Sequence, residues 1–271
     1  MNGPAPIAAL PMYDFPWTAA ANDALWAAIS ARLTEAGVQS PPRLSRGGDL
    51  AAQWRHPGFI FGQTCGYPYV TGLKDTVKLI ATPEYSFPGC IGASHRSFII
   101  RRVSDSRRGL IEFCGATAAV NAHDSNTGMN LFRAAIAPIA GGKAFFRVIV
   151  VTGSHEASVE AVVEGRADLA SIDCVSFALL ARGHPELIER VRIVVESALS
   201  PGLPFIAAAG LGRSTIDAVR EALSAALVDP DLAEARAALG LKSARMATPA
   251  DYDRVAEFER DAAAVGFARL A

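Results

Sequence analysis

The stretch ATAAVNAHDSNTGMNLFRAAIAPIAGGKAFFRVIVVTGSHEASVEAVVEGRADLASIDCVSFALLARG (116–183) decides the fold. Within it, ATAAVNA (116–122), FRVIVVTGS (146–154) and ADLASID (167–173) are short apolar runs that read as strands. Each runs into a segment with helical patterning: about 128–140, HEASVEAVVEG and CVSFALLARG. ERVRIVVES (189–197) adds a further strand. Strands joined by crossover helices predict an α/β fold with a mostly parallel sheet.

Upstream, IAALPMY (7–13), a short run near PRLSR, GFIFGQ (58–63), TVKLIATPEY (76–85) and SHRSFIIRRV (94–103) read as strands. Between them, 17–36 reads as a helix on which Trp26, Ile29 and Leu33 share one face, and 49–55 as a shorter one. Downstream, PFIAAAG reads as a strand, and the remainder from about Ser214 reads as helices: STIDAVREALSAALVD, PDLAEARAALG and a C-terminal DYDRVAEFERDAAAVGFARLA.

The 271 residues are 51% hydrophobic and 20% charged, enough apolar material for one large domain or two lobes. A net charge of −1 gives no general attraction to nucleic acid or to an acidic membrane surface. Cys65, Cys90, Cys114 and Cys174 have no metal-ligand spacing and read as reduced, partly buried thiols. No cofactor motif is present, and no run is long enough to span a bilayer. Residues 1–16 show neither the basic n-region nor the apolar h-region of an export signal, so the sequence taken literally reads as cytoplasmic.

Open α/β sheets bind ligands beyond the carboxyl ends of their strands. Applied here, that rule collects Tyr13, Tyr67, Asp124–Gly128, His155 and Asp173 as candidates. DSNTG (124–128) lies between a strand and a helix, where unpaired backbone N–H groups and the helix dipole favour an anion. Hydroxyls of Ser125 and Thr127 can donate to oxyanions, and Gly128 permits close approach to the backbone. An ordinary helix cap explains the loop equally well. His155 opens the next helix and can donate to the same anion. Asp173 either accepts from a protonated ligand oxygen or an amine, or caps the helix that follows it. Tyr13 and Tyr67 read as phenol donors or as core aromatics. The absence of Arg at these strand ends suits reversible binding better than catalysis. The enzymatic alternative, Cys65 or Cys174 as nucleophile with His155 as base, lacks a local signature.

These segments resemble a known family. LPMYDFP, QTCGYPYVTG, HRSFIIRR, NAHDSNTGMN, VTGSHEASVEAVVEGRADLASIDCVSF and SPGLPFIAA are similar to the phosphate, phosphite and phosphonate substrate-binding proteins of ABC transporters. The resemblance implies a type 2 periplasmic-binding-protein fold: two α/β lobes, a hinge and an interlobe ligand cleft. It implies lobes of 1–95 plus 201–271 and 96–200, with crossings near Ser94–Ser97 and Ser200–Leu203. It also implies that Ser125, Asn126 and Thr127 grip phosphorus-bound oxygens, that His155 and Asp173 complete the pocket, and that Tyr13 and Tyr67 close from the other lobe. Family members carry Ser or Thr where this chain has Asn126. A permease partner, no catalysis and a periplasmic location follow from the same resemblance. The alternative on this scaffold is a cytoplasmic sensor, or a binder of another small ligand such as a pyrimidine precursor.

Overall fold

The computed structural model describes residues 4–270; the remaining residues, 1–3 of the leader reading among them, lie outside the described residues. Among the described residues twelve strands follow in chain order: β1 Ile7–Ala9, β2 Phe59–Gln63, β3 Val77–Tyr85, β4 Ser94–His95, β5 Ser97–Arg102, β6 Thr117–Val120, β7 Val148–Val151, β8 Leu169–Asp173, β9 Val191–Glu196, β10 Ser200–Pro201, β11 Phe205–Ala208 and β12 Leu241–Arg245. The helices used below are α1 Ala19–Glu35, α2 Leu131–Ala140, α3 His155–Glu164, α4 Cys174–Gly183, α5 Arg213–Val228 and α6 Asp253–Ala264.

Contacts group Met1–Ser86 with Gly202–Asp251 as one unit, and Phe87–Pro201 with Tyr252–Ala271 as another. The first unit holds a sheet of order β1-β2-β11-β3-β12, and the second a sheet of order β7-β6-β8-β5-β9. A two-stranded ribbon, β10-β4, completes the second unit. The C-terminal segment was expected in the first lobe and packs in the second instead. Its apolar stripe, with Val255, Phe258 and Ala262 buried, is specific for a helix but not for a partner. Ala262, Phe267 and Leu270 complete the core around Phe113, Phe132, Ile136 and Phe146. Asn130 Nδ2 also donates to the Val255 carbonyl at 2.9 Å.

In the first unit, Trp26 of α1 stacks on Phe61 of β2 at 5.9 Å between ring centroids, and Phe61 meets Phe205 of β11 at 5.1 Å. Leu25, Ile29 and Leu33 of α1 and Val219, Leu223 and Ala226 of α5 bury against that sheet.

Both sheets are mixed rather than mostly parallel. β6 runs parallel to β7 and β8, as crossover helices require, but β5 is antiparallel to β8 and β9. β11 is likewise antiparallel to both β2 and β3. β5 and β11 follow the points where the chain passes from one unit to the other, so no crossover helix constrains their direction.

Three local readings change. The 7–13 run is a three-residue strand followed by a 3₁₀ turn, Pro11–Tyr13, because Pro11 brings no N–H to a ladder. The stretch near PRLSR forms no strand, and LKSAR (241–245), which lies between two of the helical readings, is β12 at the sheet edge. Expected helix 128–140 begins as a π-helical turn, Asn126–Asn130, before α2.

Candidate functional site

Parallel strands β6, β7 and β8 end together, and each carboxyl end feeds a loop that carries candidate residues. Beyond β6 the chain turns through 121–125 into the π turn. Ser125 takes an extended conformation (φ −78°, ψ 132°), and its Oγ accepts from the Gly128 N–H at 2.9 Å. The Asn130 N–H donates to the Ser125 carbonyl at 3.0 Å, the five-residue spacing of a π turn. As an acceptor in the cap, the Ser125 hydroxyl keeps its proton for donation elsewhere.

Thr127 is held from behind. Its carbonyl accepts from Ser97 Oγ at 2.8 Å and from Ser171 Oγ at 2.6 Å. Two donors on one carbonyl anchor the loop to β5 and β8, and Thr127 Oγ1 lies 3.1 Å from His155 Nε2. Ser125, Asn126 and Thr127 are all buried.

Asn126 does different work from its neighbours. Its Nδ2 donates to Ser200 Oγ at 2.8 Å, and its Oδ1 accepts from Asn130 Nδ2 at 3.0 Å. Arg133 Nη2 then donates to Asn130 Oδ1 at 2.7 Å. The Asn126 amide therefore ties the loop to β10 and, through Asn130, to α6. At Gly128, a Cβ would fall 1.7 Å from Asn121 Oδ1, so the missing side chain makes room for an asparagine of the same loop. Asn121 Oδ1 is itself buried without a hydrogen-bond partner among the described residues.

His155 is the first residue of α3, whose cap Ser154 accepts from the Ala157 N–H at 3.0 Å. Burial pushes its pKa down, and the nearby charge of His95 adds to that, against the pull of the Asp173 carboxylate. The ring is thus biased toward the neutral form, in which Nε2 can donate to or accept from Thr127.

Asp173 ends β8 and caps α4: Oδ1 accepts from the Val175 and Ser176 N–H groups at 2.9 and 3.0 Å. Its other oxygen, Oδ2, lies 3.0 Å from His95 Nδ1, with both side chains about 2% exposed. That contact is close but off the line of a well-formed hydrogen bond, so an ion pair describes it best. Burial works against both charges, yet each partner overcomes it. His95 is raised by the Asp173 carboxylate, and Asp173 is lowered by His95, His155 and the Ser176 N–H. Asp173 therefore carries the helix cap and a buried ion pair, two structural duties beside the ligand role expected of it.

His95 was missed by the sequence reading, in which it was one polar residue inside the 94–103 run. The structure breaks that run after His95, so that β4 pairs with β10 and β5 with β8. Ser97 stands opposite Asp173 in the β5–β8 register, which brings His95 to the end of β8.

Tyr13 and Tyr67 belong to the first unit. Tyr13 is buried edge-to-face against Tyr85 at 5.3 Å, which fits the core-aromatic alternative. Tyr67 sits half-buried in the Gly66–Pro68 turn. Cys174 Sγ faces Cys90 Sγ at 3.6 Å, and that contact, burial and the Asp173 charge all push its thiol pKa up, the reverse of an activated nucleophile. Among the described residues no group of three His, Cys, Asp or Glu side chains could hold a metal ion, and no helix is long and apolar enough to cross a membrane.

The same architecture occurs in several solved structures. A binding-protein component of an ABC phosphonate transporter from Pseudomonas aeruginosa superposes with a TM-score of 0.77 at 13% identity, covering 97% of this chain and 88% of its own. A Prochlorococcus marinus protein in complex with methylphosphonate gives a TM-score of 0.72 at 14% identity, with 96% of this chain and 98% of that one covered. A Xanthomonas citri protein bound to ATP gives 0.73 at 15% identity, with the same coverage of 96% and 98%. At such identities the likeness is one of fold, the two-lobed type 2 periplasmic-binding-protein α/β fold. No curated protein sequence matches the chain. The family model for the phosphonate periplasmic substrate-binding protein of ABC transporters matches residues 59–252, most of the chain's length. The chain belongs to that family of ABC-transporter substrate-binding proteins.

Proposed function

We propose that the protein captures a small phosphorus oxyanion, a phosphonate, phosphite or phosphate, and delivers it to an ABC-type permease. The observation that carries this reading is the Ser125–Thr127–His155 arrangement. Two hydroxyls, on a loop pinned through the Thr127 carbonyl, lie at the end of one strand, and an imidazole that reaches Thr127 opens the helix after the adjacent parallel strand. Pinning matters because a donor already in place loses little entropy when the ligand arrives. Ser125 and Thr127 supply O–H donors, and His155 Nε2–H donates to Thr127 Oγ1 when Thr127 turns its own proton toward the ligand. The buried His95–Asp173 pair is internally compensated, so the anion meets oriented dipoles rather than an exposed counter-charge. Asn126, which replaces the hydroxyl residue of other members, serves the loop and leaves the gripping to its neighbours. Tyr13 and Tyr67 are proposed contacts from the first unit and are tested by their own substitutions. Family membership supports a periplasmic location and binding without catalysis.

The test is a thermal-shift panel of methylphosphonate, phosphite and phosphate, with sulfate and ATP as controls. Ligand at a hundred times its Kd stabilises the folded state by about 2.7 kcal/mol, a rise of several degrees. A flat response to the phosphorus anions would sink the proposal, and a response to ATP alone would redirect it to a nucleotide.

A further inference from the structure

The second unit contains a pair of thiols that the anion-binding reading does not use. Cys90 lies in the turn that follows entry of the chain into this unit, where the Cys90 N–H donates to the Phe87 carbonyl at 3.1 Å. Cys174 is the first residue of α4, next to Asp173, and is fully buried. Their Sγ atoms are 3.6 Å apart although 84 positions separate them in the chain. The backbone is fitted to this contact. Gly89, at φ +90°, passes so close that a Cβ there would lie 2.8 Å from Cys174 Cβ and 3.1 Å from its Sγ. The sulfurs must close from 3.6 Å to the ~2.05 Å of a disulfide.

We propose that Cys90 and Cys174 form an oxidation site, converting reversibly from a dithiol to an intramolecular disulfide on exposure to a small-molecule disulfide. Cys90, half-buried where Cys174 is enclosed, is the point of entry. Its thiolate attacks one sulfur of the reagent, forming a mixed disulfide and releasing the first reagent thiol. Cys174 Sγ then attacks Cys90 Sγ, its proton passes to the departing sulfur, and the second reagent thiol leaves. Two protein thiols become one disulfide while one reagent disulfide becomes two thiols. The new bond staples the 87–90 turn to the start of α4, beside the carboxylate that pairs with His95. The loop it closes contains β4 to β8, so oxidation stabilises the second unit by restricting its unfolded state.

The experiment treats the full-length protein with oxidised glutathione, removes the reagent and counts thiols after denaturation. Of the four cysteines in the chain, two are expected to remain titratable, with a mass loss of about 2 Da and a tryptic peptide pair joining Cys90 to Cys174. The melting temperature of the oxidised form rises by ~5 °C or more and falls back with dithiothreitol. Cys90→Ser, a change at the half-buried partner, abolishes the thiol loss and the shift while leaving the reduced melting temperature close to that of the parent. Four thiols persisting through oxidation would overturn the proposal, as would a cross-link through Cys65 or Cys114, or a two-thiol loss that survives Cys90→Ser.

Discussion

His95 Nδ1 stands 3.0 Å from Asp173 Oδ2 with both side chains almost wholly enclosed, making a buried ion pair at the end of the strand that carries the candidate site. Removing one partner strands the other charge away from water, a change that costs about 3–5 kcal/mol in comparable pairs. His95→Gln is therefore expected to lower stability by about 3 kcal/mol, read from urea unfolding. Loss below ~1 kcal/mol would show that the pair is not charged in the folded protein.

The pH dependence follows from the directions of the shifts. His95 is raised, so its stabilisation is complete below the ordinary value of 6.5 and disappears as pH climbs through the folded value. Asp173 is lowered, so its contribution holds above 3.8 and is lost as pH falls through its depressed value. His155 is lowered, so the neutral ring stabilises above 6.5 and that term fades as pH falls through the folded value. The melting-temperature advantage of the parent over His95→Gln should narrow as pH rises above 6.5, through the raised folded value. His155→Asn should instead cost most above neutrality. Parallel curves for parent and His95→Gln across that range would contradict the assignment.

Ser125→Ala with Thr127→Ala removes both hydroxyl donors from the loop. Stability falls by about 1 kcal/mol from the lost Ser125 cap, while affinity for the best phosphorus anion falls at least ~100-fold by calorimetry. Thr127→Val, which preserves shape and loses only the hydroxyl, should weaken binding ~10-fold or more with the fold intact. Unchanged affinity in both variants would move the site elsewhere.

Asn126→Ala separates scaffold from grip. It takes a partner from Ser200 and from Asn130, two buried polar side chains, and should destabilise by about 1–3 kcal/mol. Ligand stoichiometry in the folded fraction should stay at the parental value. A full loss of binding with little change in stability would instead make Asn126 a direct ligand contact.

Gly128→Ala places a methyl where Asn121 Oδ1 now lies, a separation of 1.7 Å that no packing tolerates. Destabilisation of about 1–3 kcal/mol is expected, and Asn121→Ala in the same chain should recover most of it. Additive losses in the double variant would mean that the clash is not with Asn121.

Sequence alone determined the α/β character, the positions of β6, β7 and β8, and the loops at their ends. Apolar periodicity and turn chemistry act over a few residues and survive without tertiary context. DSNTG, His155 and Asp173 were legible for the same reason, since each sits where a strand run meets a helix start. Tertiary structure decided what those side chains do. For Asn126 and Asp173, read as ligand contacts, the fold adds partners that a local pattern does not show: Ser200 for Asn126 and His95 for Asp173, each on another element. The reversed directions of β5 and β11, the docking of α6 on the second unit and the Cys90–Cys174 contact were likewise invisible. Pairing direction, helix partner and side-chain pairing depend on groups distant in sequence, and a local pattern carries no information about which distant group will arrive.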